Sequence, residues 1–125
     1  MTQLELGQRA ERRRRFNITD AETLRQLTGA ATPPGAVPEA LINALFSDLL
    51  GVDLPGRGTN YLKQETEFLA AAPLDQDIIA EVEIIRLRPD KHLVDLATTC
   101  RLTDGTPLAS GRALVLAKDV DGAWG

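Results

Sequence analysis

The chain of 125 residues is 43% hydrophobic and 26% charged, which suits one soluble domain with room for a real core. A formal net charge of −4 excludes a broad electrostatic footprint for nucleic acid, and no apolar run is long enough to cross a membrane. A single cysteine excludes an intrachain disulfide, and the N-terminus carries no apolar leader, so a reducing, cytoplasmic setting is expected.

In chain order, residues 1–11 are polar and are expected to form a flexible arm ahead of a domain that fills the rest of 1–125. Arg12-Arg13-Arg14-Arg15 reads as a solvated run beside Glu5 and Glu11, with a phosphate-bearing ligand or partner as the alternative. Arg14 to Ile18 suggests a short strand. Thr19 and Glu22 form a capping-box pattern for a short helix, with Leu24 and Leu27 as its buried edge and Gly29 as its stop. Ala30 to Val37, with two prolines and a glycine, predicts a loop.

Pro38 suits the opening of a second helix, because its fixed φ fits the first turn and its missing N–H is unpaired there anyway. Leu41, Ile42, Leu45, Phe46, Leu49 and Leu50 recur at helical spacing and give it a broad apolar face. Gly51 is the expected left-handed stop. One line breaks the apolar pattern: Glu39, Asn43 and Ser47 fall at i, i+4 and i+8. Asp48, one residue off that line, is expected to face solvent or an interface.

Beyond the glycine-rich connection 51–58 the period changes to two. Tyr61 to Ala71, Ile78 to Leu87, Leu93 to Leu102 and Pro107 to Lys118 read as four strands, with Asp104-Gly105 as a hairpin turn. Cys100 alternates with Val94, Leu96 and Thr98, so it reads as a small buried hydrophobe. His92 is the one histidine and has no second ligand near it in sequence, so neither a metal nor a cofactor is implied. A sheet must curl to wrap one apolar helix, which predicts an α+β domain. Its free edges predict pairing into a homodimer or a higher oligomer.

The segment A-L-F-S-D-L-L-G-V-D-L-P-G-R-G-T-N-Y-L-K-Q resembles the end of the central helix, the L-P-G-x-G-T turn and the following strand of MaoC-like dehydratases and (R)-specific enoyl-CoA hydratases. E-F-L-A-A-A-P-L-D-Q-D-I resembles their P-V-x-x-G-D corner, and R-R-F-N-I-T-D-A-E-T-L-R-Q-L-T-G their lead-in, so the likeness spans roughly residues 12–118. It implies the hot-dog fold, an acyl-CoA or acyl-carrier thioester as ligand, and a pocket shared across a dimer. That family uses an Asp and a His in S-G-D-x-N-P-x-H. The matching residues here, 28–35, put Ala30 at the Asp position and Gly35 at the His position, and neither can move a proton. A His-Gly pair at the helix start aligns with Pro38-Glu39, which keeps the Glu39 N–H and the positive end of the helix dipole.

The resemblance therefore implies a protein that acts on or binds acyl thioesters without the usual hydration chemistry. The alternatives are a thioesterase with Glu39 as general base, an atypical hydratase whose Asp and His come from another chain, and a non-catalytic assembly subunit. Asn43 and Ser47 would line the pocket with Glu39; Asn60 and Tyr61 open the strand beside it; Arg57 could meet ligand phosphates. Glu39 has a second reading as an anion in the first helical turn, favoured by roughly 0.3–1 kcal/mol.

Overall fold

A computed structural model describes residues 3–29 and 35–125 of the chain. Strand β1 (Arg9–Arg15) and helix α1 (Ile18–Thr28) precede the central helix α2 (Glu39–Asp48). Strands β2 (Asn60–Phe68), β3 (Asp77–Arg88), β4 (Leu93–Leu102) and β5 (Pro107–Leu116) follow. All five strands join one antiparallel sheet in the order β1-β3-β4-β5-β2, which leaves β1 and β2 at its edges.

The sheet curls about α2 because both carry matching apolar faces. Ile42, Leu45, Phe46, Leu49 and Leu50 pack into one core with Ile78, Ala80, Val82 and Ile84 of β3. Val94, Leu96 and Cys100 of β4 and Ala113 and Val115 of β5 complete that wall. Each large side chain fully buried here contributes roughly 1.5–3 kcal/mol, so these five apolar residues dominate the placement of the helix. The α+β architecture is the one the order of elements predicts.

Local chemistry departs from expectation in five places. The N-terminal segment is not a loose arm: Leu4 is buried, its N–H bonds the Ala123 carbonyl at 2.9 Å, and Gly7 and Gln8 bond Ile84. Strand β1 begins at Arg9 rather than Arg14, because the Arg run is paired along β3 and its charges find carboxylates. Arg12 is paired with Asp48 and Asp53, and Arg13 and Arg15 both reach Asp77. Helix α1 is capped two residues earlier than the Thr19–Glu22 pattern suggests, by Asn17 and Asp20, which exchange 3.0 and 2.9 Å bonds. Its buried residue is Ala21, while Leu27 is 79% exposed and Leu24 is only half-buried. Gly29 does end that helix, at φ 68°.

Gly51 does not end α2. The helix widens instead into a π turn over Leu49–Asp53, closed by the Leu54 N–H on the Leu49 carbonyl at 2.8 Å. Burial of Leu49 and Leu50 together carries the chain past the glycine. Strand β2 stops at Phe68, short of Ala71, and a bulge at Leu62 turns that side chain outward. The loop expected over 30–37 lies largely outside the described residues; its end is held by an isolated bridge between Ala36 and Pro73.

Candidate functional site

The polar line on α2 runs beneath strand β2. At its centre the Asn43 Oδ1 accepts from the Thr66 hydroxyl at 3.0 Å and from the Gln64 Nε2 at 3.2 Å. Gln64 also reaches the Thr66 hydroxyl at 3.4 Å. One turn further on, the Ser47 hydroxyl faces the Tyr61 phenol. Burial pushes the Tyr61 phenol above its ordinary value, and the Ser47 hydrogen bond opposes part of that rise.

The local sequence explains this row. Residues four apart on a helix share one face, so Asn43 and Ser47 point the same way. Residues two apart on a strand share one face, so Gln64 and Thr66 point together toward the helix. Tyr61 joins them because the bulge at Leu62 adds a residue and restores Tyr61 to the inner side, opposite the buried Val115. Gln64 and Thr66 are the partners that residue-by-residue reading of the helix missed. Their signal was present: polar side chains at inward positions of a strand need polar partners.

Of the other candidates, Glu39 is exposed in the first turn of α2, one turn ahead of Asn43. The helix start has no side-chain cap, and of its leading N–H groups that of Leu41 bonds the Pro38 carbonyl at 3.0 Å. Arg57 and Asn60 are exposed on the turn and at the strand start. The structure thus sets Asn43 against Gln64 and Thr66 and Ser47 against Tyr61, and leaves Glu39, Arg57 and Asn60 exposed. Asp48 turns to the opposite partner, Arg12.

Near neutral pH the central row holds no group that exchanges a proton readily. Asn, Gln, Ser and Thr do not titrate there, and a phenol raised above 10 stays protonated. Such a row can bind and orient a polar group. His92 sits elsewhere, in the turn before β4 at φ 57°, with its ring against Trp124 at 5.5 Å. Cys100 is buried, and burial pushes its thiol up to about 11, so it is an inert core residue. No described helix is long and apolar enough to cross a membrane.

No protein-family model matches the chain. It is 31% identical to the (R)-specific enoyl-CoA hydratase of Aeromonas caviae over 90% of this chain and 94% of that protein. It is 36% identical to the 3-hydroxybutyryl-CoA dehydratase of Methylorubrum extorquens, over 69% of this chain and 55% of the relative. In structure it superposes on the A. caviae (R)-hydratase with a TM-score of 0.85, covering 90% of this chain and 96% of the other. The R-hydratase PhaJ1 of Pseudomonas aeruginosa follows at 0.83, with 27% identity and coverage of 90% and 81%.

Proposed function

The chain belongs to the (R)-specific enoyl-CoA hydratase family of hot-dog proteins, and from that premise we propose that it binds acyl-thioester ligands without hydrating them. One observation carries this reading. The chain keeps the family's fold over nine-tenths of its length, yet Ala30 and Gly35 stand where the resemblance calls for the proton-moving Asp and His. Its one histidine, His92, is packed against Trp124 in a turn and does not replace them.

What remains suits binding. The Asn43 Oδ1 is taken by Gln64 and Thr66, so the amide N–H pair of Asn43 is the part free to meet an acceptor such as a thioester carbonyl. The ligand is an acyl group on CoA or on an acyl carrier, held in a site that a homodimer, or a higher oligomer built from it, completes. Arg57 and Asn60, both exposed, would meet the ligand's polar end. A thioesterase is the second reading. It is favoured by Glu39, a carboxylate at an uncapped helix N-terminus where water and an oxyanion could both be accommodated.

Thermal melting with crotonyl-CoA and longer acyl-CoAs, run beside a hydration assay, tests the proposal. A ligand at a hundred times its Kd adds about 2.7 kcal/mol of stability, so the melting temperature should rise while hydration stays at background. Asn43→Ala should shrink the rise. Turnover on the order of 1–10³ s⁻¹ would overturn the loss of hydration, and an unchanged melting curve would overturn the binding. Thioester hydrolysis that falls about 10²–10⁴-fold in Glu39→Gln would establish the thioesterase in its place.

A further inference from the structure

Strand β1 sends its arginines to the two sides of the sheet in turn, and Arg12 differs from its neighbours. The side chains of Arg13 and Arg15 are 62% exposed, whereas that of Arg12 is 23% exposed. Arg12 lies opposite the buried Ala80, on the side of the sheet that faces the helix. Its guanidinium holds two carboxylates at once: Asp48, the last residue of α2, and Asp53 at 3.0 Å, the last residue of the π turn. The C-terminal end of a helix favours a cation, yet α2 contains no basic residue and Asp48 adds negative charge to its negative end. Arg12 supplies the missing positive charge from the strand.

Apolar burial fixes how deep α2 sits, but it is non-directional and sets the rotation of the helix only loosely. Polar contacts on opposite flanks of the helix set it more closely. On one flank Asn43 meets Gln64 and Thr66 of β2. Asp48, five residues on and therefore about 140° round the helix, meets Arg12 of β1 on the other. The corner that Arg12 holds also joins the two halves of the polar row. Asn43 and Ser47 come before it in the chain, and Asn60 and Tyr61 come after it.

We propose that Arg12 is a positioning residue for the ligand site: by clamping Asp48 and Asp53 it holds α2 and its corner at the rotation that turns Asn43 and Ser47 toward β2. This rests on the acyl-thioester reading above and states what keeps that site in shape from the far edge of the sheet. Without the guanidinium, two carboxylates gathered on one cation are left to repel each other. The end of α2 then moves away from β1, and the row along β2 loosens with it.

Tyr61 absorbance titration and melting with crotonyl-CoA, run on the full chain and its variants, test the clamp. Arg12→Met keeps an apolar side chain of similar length and removes the charge. Its Tyr61 midpoint should fall toward 10, because the loss of burial outweighs the loss of the Ser47 bond. Its affinity for crotonyl-CoA should fall about tenfold. The charge swap Arg12→Glu with Asp48→Arg sets the new guanidinium between the new carboxylate and Asp53. It should restore the midpoint, and the affinity to within about threefold. Where Arg12→Met fails to fold by circular dichroism, Asp48→Asn decides in its place. That change leaves Asp53 on Arg12 and should show both effects at a smaller size. A variant that melts lower but keeps the original midpoint and affinity would make Arg12 a structural tie only and overturn the proposal. A charge swap that restores neither would overturn it as well. If crotonyl-CoA shifts no melting curve, the original chain's included, the binding reading falls, while a Tyr61 midpoint that still follows Arg12 upholds the clamp on the row.

Discussion

Tyr61 is the chain's only tyrosine, so its ionisation can be followed without interference. Burial raises its folded-state pKa above the ordinary 10, with Ser47 acting against the rise. A group raised in this way stabilises the fold fully below the unfolded pKa and loses that contribution as pH rises through the folded value. The phenolate absorbance of the native protein should accordingly have its midpoint above 10, and Tyr61→Phe should lessen the loss of stability at alkaline pH. A native midpoint at or below 10 would contradict the burial that raises the Tyr61 phenol. At this scale much was legible. Asn43 and Ser47 stood out because polar residues interrupt an apolar helical period. Their partners Gln64 and Thr66 were marked only as polar residues on an inward strand face, because the sequence does not say which residue of a helix more than twenty positions away each will meet.

Among the elements, β2 depends on how closely β5 approaches it. A Cβ at Gly111 would run into the Glu65 carbonyl oxygen, so only glycine allows the two backbones to lie as they do. Gly111→Ala should push β2 outward and destabilise the chain by about 1–3 kcal/mol, measured by urea unfolding. The Asn43 row lies directly beneath the displaced strand, so acyl-CoA melting shifts should fall as well. A substitution without effect on either would mean that β2 is free to move. Strands β3, β4 and β5 were readable from alternation, since one face is buried and the other wet. Strand β1 was not. Five of its seven residues are arginine, and it is a strand only because β3 offers a ladder and Asp48, Asp53 and Asp77 offer counter-charges. The end of α2 was misjudged for a related reason: a glycine ends a helix when nothing holds the next turn, and here Leu49 and Leu50 are held by the core.

At the scale of the whole molecule, the proposed completion of the site by a second copy predicts a stability that depends on protein concentration. The melting temperature should rise as the protein is concentrated across the micromolar range, and a curve independent of concentration would leave each subunit to stand alone. The sequence by itself determined the α+β class, the buried central helix, three of the five strands and the family. Each of these follows from residue period or from a contiguous segment such as L-P-G-R-G-T-N-Y-L, and neither needs distant contacts to be read. Only the tertiary structure decided that the N-terminal segment is docked, that the arginine run is an edge strand, and that Asn43 and Ser47 meet Gln64, Thr66 and Tyr61. Those features are pairings between residues far apart in the chain. Their free energy appears only once the sheet has curled around the helix and brought the partners within hydrogen-bonding or ion-pair distance.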